Sequence, residues 1–341
     1  MGTEINIKSP TRVDLAGGTL DCWPLYLFLN DPVTVNLSID IFTRAKLIPV
    51  TDGSARVRLI TKDLKLDREY ANLEQCLKDK DPAFDLIRVV LEHYRTPIGN
   101  RGFSLETASE SPVGGGLGGS SSLCISILKA IGQWTKISYG ETDLVRLASH
   151  LEARLLLKPT GTQDYFPPIE SGLCVITYGA EGPVCRRENM DPNFFKERFT
   201  LVYTGRSHHS GINNWQVIKD WLDGDARTRA AMSDLAVISK EVAQAVRETD
   251  HKGIAKLFAQ EYEARVRLSS GFSSPEIEKI HAIALKHQSI AKICGAGGGG
   301  CVFIWSPEGD AAKRAQMVSE IDESGCRVLP AQPYFENGSG N

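Results

Sequence analysis

Residues 112–122 read Pro-Val-Gly-Gly-Gly-Leu-Gly-Gly-Ser-Ser-Ser, and five of the six positions from Gly114 to Gly119 are glycine. A backbone without Cβ atoms over that length reaches positive φ and lets a ligand approach closely, so the segment folds as a tight loop. Behind it, Cys124, Ile127, Leu128 and Ile131 fall at helical spacing, which predicts a helix beginning near Ser120. A glycine loop feeding a helix N-terminus turns free N–H groups and the positive end of the helix dipole toward one point. That is an anion site, with phosphate the obvious candidate.

Two generic phosphate-binding patterns do not fit. Gly114, Gly116 and Gly119 satisfy G-x-G-x-x-G, but a dinucleotide fold needs a strand directly before the loop and a second strand ending in an acid about 20 residues on. Thr135–Glu141 is polar and turn-like instead. A P-loop needs Lys then Ser or Thr after its last glycine. Here Gly119 is followed by Ser120, and no lysine occurs before Lys129. The loop therefore holds its anion by backbone and hydroxyls.

The chain has 341 residues, 42% hydrophobic and 24% charged, an ordinary globular composition long enough for two domains or two packed lobes. The division is expected at residues 170–200, giving an N-terminal unit 1–185 and a C-terminal unit 186–341. A net charge of −3 without a basic block argues against nucleic acid as the main partner. No apolar run approaches the ~20 residues that span a bilayer, and the first residues lack the pattern of a secretion signal. A cytoplasmic protein without a membrane partner is the expectation. Eight cysteines without a C-x-x-C pair read as reduced, mostly buried thiols. His208-His209, the only histidine pair, lacks chelating spacing for zinc. Strands are expected at Ile5–Lys8, Arg12–Ala16, Val33–Ile39 and Arg44–Val50, and a helix at Thr142–Leu157 with Thr142 or Ser138 as its cap.

Two further stretches complete a pattern. Ser9–Gly18 reads SPTRVDLAGG near the N-terminus, and Lys292–Cys301 reads KICGAGGGGC near the C-terminus. With Pro112–Ser122 between them, order, spacing and all three motifs resemble the GHMP kinase family (galactokinase, homoserine kinase, mevalonate kinase, phosphomevalonate kinase) over nearly the whole chain. Leu15–Tyr26 and Gly161–Tyr165 look closest to its sugar-kinase members of the D-glycero-D-manno-heptose 7-phosphate kinase type. The resemblance implies an α+β, two-lobed GHMP kinase fold: an N-terminal nucleotide-binding lobe and a ferredoxin-like C-terminal lobe, with substrate in the cleft between.

It also implies ATP and Mg²⁺. Pro112, Gly114, Gly115, Gly116, Leu117, Gly118, Gly119, Ser120, Ser121 and Ser122 would form the nucleotide loop. Ser120, with Ser121 as the alternative, and Glu152 would bind the metal. Asp164 aligns with the family's base for the substrate hydroxyl, and Arg12 with the basic residue beside it. Asp21 aligns with a sugar-binding carboxylate; Gly161, Gln163, Gly297 and Gly298 would lie beside the substrate. The implied partner is a small-molecule sugar or sugar phosphate, and a homodimer is compatible with the pattern. Lys158, Arg206 and Arg44 are candidates for a phosphate on the substrate, and Trp23 and Arg206–Ser210 for the rim of the sugar pocket. The alternatives are mevalonate-type phosphorylation or ATP-dependent decarboxylation and, from another class, a catalytically silent ligand-sensing relative. Retention of Arg12, Ser120, Glu152 and Asp164 speaks against the silent relative.

Overall fold

The computed structural model describes residues 3–207, 210–295 and 297–336. His208 and His209, Ala296 and the polar stretch 337–341 lie outside the described residues.

Two sheets organise the chain. The first contains β1 (Ile5–Ala16), β2 (Val33–Pro49), β3 (Val57–Thr61), β4 (Leu66–Tyr70), β5 (Phe103–Ser109), β6 (Leu173–Gly179) and β7 (Gly182–Glu188). Its order is β4-β3-β5-β2-β6-β7, with β1 paired to β2. The second is antiparallel, in the order β11-β8-β10-β9, from β8 (Phe199–Tyr203), β9 (Ile290–Ile293), β10 (Cys301–Trp305) and β11 (Arg327–Leu329).

Where two short strands were expected on each side of a break, β1 and β2 are continuous. The pairing jumps from Pro10↔Phe42 to Thr11↔Ile39, so two residues of β2 bulge out opposite the Pro10-Thr11 step. Proline has no N–H for a ladder and is accommodated at such a bulge. Beyond it, β2 changes neighbours, from β6 along Val33–Leu37 to β5 along Thr43–Pro49. The first motif lies on β1, which pairs along β2 on both sides of this bulge. The edge strands β4 and β7 were not anticipated. Asp67, Arg68, Glu69, Arg186, Arg187 and Glu188 give them the charge that protects a sheet edge and hides the strand pattern.

Helices cover the sheets. α1 (Leu73–Lys78), α2 (Asp85–His93), α3 (Arg95–Ile98), α4 (Gly119–Thr135) and α5 (Glu141–Leu156) belong to the first half. α6 (Pro192–Lys196), α7 (Ser210–Leu222), α8 (Ala226–Arg247), α9 (His251–Leu268), α10 (Pro275–Lys286) and α11 (Ala311–Glu323) follow. α5 starts from Gly140 without a side-chain cap, so neither Ser138 nor Thr142 serves as one. One apolar core lies among α2, α4, α5 and the first sheet. The other joins α8 to α11 and the second sheet to Val13, Leu15, Val35 and Leu37 of β1 and β2.

Four charges are sealed behind the first motif. Arg265 of α9 donates from Nη2 to Asp14 Oδ2 (2.9 Å), from Nε to Glu261 Oε1 (2.7 Å) and from Nη1 to the Gly295 carbonyl (2.9 Å). Lys292 Nζ lies 3.1 Å from Glu261 Oε1 and 3.6 Å from Asp14 Oδ1. All four side chains are fully buried, and two positive charges balance two negative ones. Breaking such a cluster leaves a charge without compensation, at about 3–5 kcal/mol. Arg265→Met should lower the unfolding free energy by roughly that amount in urea titrations; a loss below about 1 kcal/mol would show that the cluster does not hold β1, α9 and β9 together.

Candidate active site

Arg12, on β1, is buried, with 2% of its surface exposed. Its Nε and Nη2 donate to Asp164 Oδ1 at 2.9 and 2.6 Å, and its Nη1 donates to the Gly116 carbonyl at 2.6 Å. Burial alone would lower the Arg12 pKa; the Asp164 and Asp14 charges outweigh it and raise it above the ordinary range. The guanidinium therefore stays charged and fixes one carboxylate oxygen against the glycine loop. Gly118, in the left-handed conformation at φ 67°, caps α4 directly beside Asp164: a Cβ there would lie 3.4 Å from the carboxylate carbon.

The loop rests on the third motif. Cys301 N–H donates to the Gly115 carbonyl at 2.8 Å. At Gly116, φ is 71° and a Cβ would come within 2.7 Å of the Cys294 carbonyl, so only glycine fits. The N–H groups of Gly119, Ser120 and Ser121 open α4 before the first helical bond, Ser122 N–H to the Gly118 carbonyl. They are the donors a helix N-terminus leaves for an anion.

Ser120 Oγ donates to Glu152 Oε1 at 2.6 Å. Glu152, on α5, is buried, and its Oε2 has no hydrogen-bond partner. Burial pushes this carboxyl up, against the pull of the Ser120 hydroxyl. An orphaned carboxylate oxygen beside a hydroxyl fits a hard divalent cation. Among the described residues no three His, Cys, Asp or Glu side chains converge on a metal position. A cation here would complete its shell with phosphate oxygens and water.

Asp21 follows the first motif and is 3% exposed. Its Oδ2 accepts the Gln163 N–H at 3.1 Å. A Cβ on Gly161 would lie 1.9 Å from that oxygen, which is why the turn carries glycine. Burial and then the Asp164 charge push the Asp21 carboxyl up to about 6. Thr19 has φ 78°, a left-handed conformation unusual for a β-branched residue, and its hydroxyl donates to Asn214 Oδ1 of α7 at 3.0 Å. All these groups line one cleft of about 400 Å³.

The chain matches the GHMP kinases N terminal domain over residues 84–172 and the GHMP kinases C terminal domain over residues 242–321. The chain belongs to the GHMP kinase family. It is 26% identical to a D-glycero-alpha-D-manno-heptose 7-phosphate kinase of Campylobacter jejuni, with 93% of each chain covered. It is 21% identical to a mevalonate kinase of Arabidopsis thaliana, over 96% of this chain and 97% of the relative. Among solved structures, a D-glycero-D-manno-heptose 1-phosphate kinase of Bacteroides thetaiotaomicron superposes with a TM-score of 0.78 at 18% identity, covering 98% of this chain and 97% of that one. That last likeness is one of fold.

GHMP kinases use ATP, and this GHMP kinase brings together Arg12, Asp21, Ser120, Ser121, Glu152, Gly161, Gln163, Asp164 and Gly297 on one cleft with the glycine loop. Two of the residues expected on the loop and beside the substrate fall elsewhere. Ser122 is fully buried, and its hydroxyl bonds Thr43 and the Pro10 carbonyl, because one more step around α4 turns it to the sheet. Gly298 gives its N–H to the Phe272 carbonyl, and Gly299 lines the cleft in its place. Trp23 is 60% exposed and does not line the cleft. Arg206 pairs with Glu276, and the histidines beyond it lie outside the described residues. Thr19 and Asn214 were missed: Asn214 belongs to no motif, and 195 residues separate the two. Cys294 also lines the cleft, but burial pushes its thiol up to about 11, so it is no nucleophile at neutral pH. Among the described residues no helix is long and apolar enough to cross a membrane.

The raised Asp21 pKa has a thermodynamic sign. The folded carboxyl holds its proton more tightly than the unfolded chain, so this stabilisation is complete below pH 4 and is lost as pH rises to about 6. The difference is on the order of 3 kcal/mol. Urea titrations should therefore show Asp21→Asn gaining stability relative to wild type by that order between pH 4 and pH 7. A difference independent of pH would place Asp21 in a polar, solvated setting instead.

Proposed function

We propose that this chain transfers the γ-phosphoryl group of ATP to a hydroxyl of a sugar or sugar phosphate. One observation carries the reading: a carboxylate, Asp164, is tied by a buried arginine to the same glycine loop whose N–H groups await an anion. Phosphoryl transfer needs little covalent chemistry from the protein. It needs the alcohol, the phosphoryl group and compensating charge held in line.

The α4 N-terminus and the loop from Pro112 to Ser121 hold the phosphates. Arg12 steadies the transferring group and holds Asp164 in place through its Nε and Nη2. Asp164 accepts the proton as the acceptor oxygen bonds to phosphorus, while the bond from phosphorus to the bridging oxygen breaks and ADP leaves. Asp21 and the Gly161–Gln163 turn orient the acceptor, with Gly297 closing the cleft behind it. Ser120 and Glu152 would hold Mg²⁺, which when bound supplies charge neutralisation for the phosphates. The heptose 7-phosphate kinase that the chain resembles over most of its length supports a sugar acceptor; the mevalonate kinases are the arm to test against it.

Asp164→Asn keeps the shape and removes the proton acceptor, so kcat should fall about 10²–10⁴-fold in a coupled ADP-release assay, with KM for ATP little changed. Full activity in that variant would overturn the base assignment. Separately, Ser120→Ala should raise the Mg²⁺ concentration needed for half-maximal rate by about ten-fold. The same shift in Ser121→Ala, with none in Ser120→Ala, would move the ligand by one residue.

A further inference from the structure

Beyond Asp164, the cleft wall is built to receive hydroxyls. Gln163 is buried at 5% exposure and its Oε1 has no hydrogen-bond partner. Asp21 next to it is a second buried acceptor. A buried acceptor without a donor is costly, and a substrate hydroxyl relieves it. Across the cleft, the Thr19 hydroxyl occupies Asn214 Oδ1, which leaves the amide N–H groups of Asn214 without a partner among the described residues. The set is thus two acceptors and one donor, the complement of a run of hydroxyls.

The charges point the same way. Among the described residues Arg12 is the one cationic side chain lining the cleft, and three of its N–H groups are taken by Asp164 and Gly116 beside the glycine loop. Asp21, Asp63, Glu152 and Asp164 line it as well. Arg44 and Arg206 are paired with Glu110 and Glu276 and, like Lys158, do not line it. A phosphate carried in by the acceptor would face carboxylates, with no free arginine or lysine among the described residues of the cleft to answer its charge.

We infer that the acceptor enters as an uncharged polyol, a sugar bearing no phosphate. Asp21 and Gln163 Oε1 accept from two of its hydroxyls, and Asn214, oriented by Thr19, donates to one of its oxygens. This narrows the phosphotransfer reading above and rests on it.

The test compares matched pairs in the ADP-release assay: D-glycero-D-manno-heptose and its 7-phosphate, D-mannose and its 6-phosphate, D-galactose and its 6-phosphate. In whichever pair is turned over, kcat/KM should favour the free sugar by at least about ten-fold. Asn214→Ala should raise KM for that sugar about ten-fold, leaving KM for ATP within about two-fold. Equal or better use of the phosphorylated member overturns the inference, as does an unchanged acceptor KM in Asn214→Ala; in both cases turnover itself leaves the phosphotransfer reading standing. No turnover of any pair by the wild type removes that reading, and this inference with it.

Discussion

The Arg12 guanidinium touches three parts of the cleft at once. Its backbone belongs to β1, two of its nitrogens hold Asp164, and the third holds the carbonyl of Gly116. A buried arginine is tolerable only with its charge answered, and here one carboxylate oxygen and one carbonyl answer it. The consequence is mutual. Asp164 is fixed because Arg12 is buried, and the glycine loop is fixed because Arg12 has a further N–H to spend on it. Arg12 N–H also meets the Leu117 carbonyl at 3.1 Å, so main chain and side chain pin the loop together.

Behind that contact, the glycines of the middle and third motifs meet backbone to backbone. A Cβ on Gly295 would come within 3.0 Å of Gly116, and one on Gly300 within 2.9 Å of Gly114 and Gly115. The carbonyl of Gly295 is in turn held by Arg265, which sits with Asp14, Glu261 and Lys292 in the sealed charge cluster. The three motifs are therefore one packed object. Rigid placement of this kind is what phosphoryl transfer asks of a protein, since its chemistry is chiefly positioning.

Much of this object was legible in the chain. The glycine run, the absent lysine and the apolar spacing after Ser120 placed an anion loop at the start of α4, and α4 begins at Gly119. Other features were hidden for physical reasons. Three adjacent serines look alike in sequence, yet each step around a helix rotates the side chain, so Ser120 meets Glu152 while Ser122 meets Thr43. Edge strands carry charge and lose their alternation. The burial of Arg265 and Lys292 has no local signal, because Asp14, which both approach, lies far off along the chain. The Thr19–Asn214 contact depends on how α7 packs against the first motif, which no local pattern encodes.

The central claim is that the loop, Arg12 and Asp164 together move a phosphoryl group from ATP to a sugar oxygen. Phosphorus NMR of the protein with ATP, Mg²⁺ and the free aldoses tests it most directly. The account predicts loss of the γ-phosphate signal in step with ADP and with a phosphate monoester coupled to a carbohydrate proton. Orthophosphate as the only product, or a monoester formed with mevalonate and with no sugar, would contradict it.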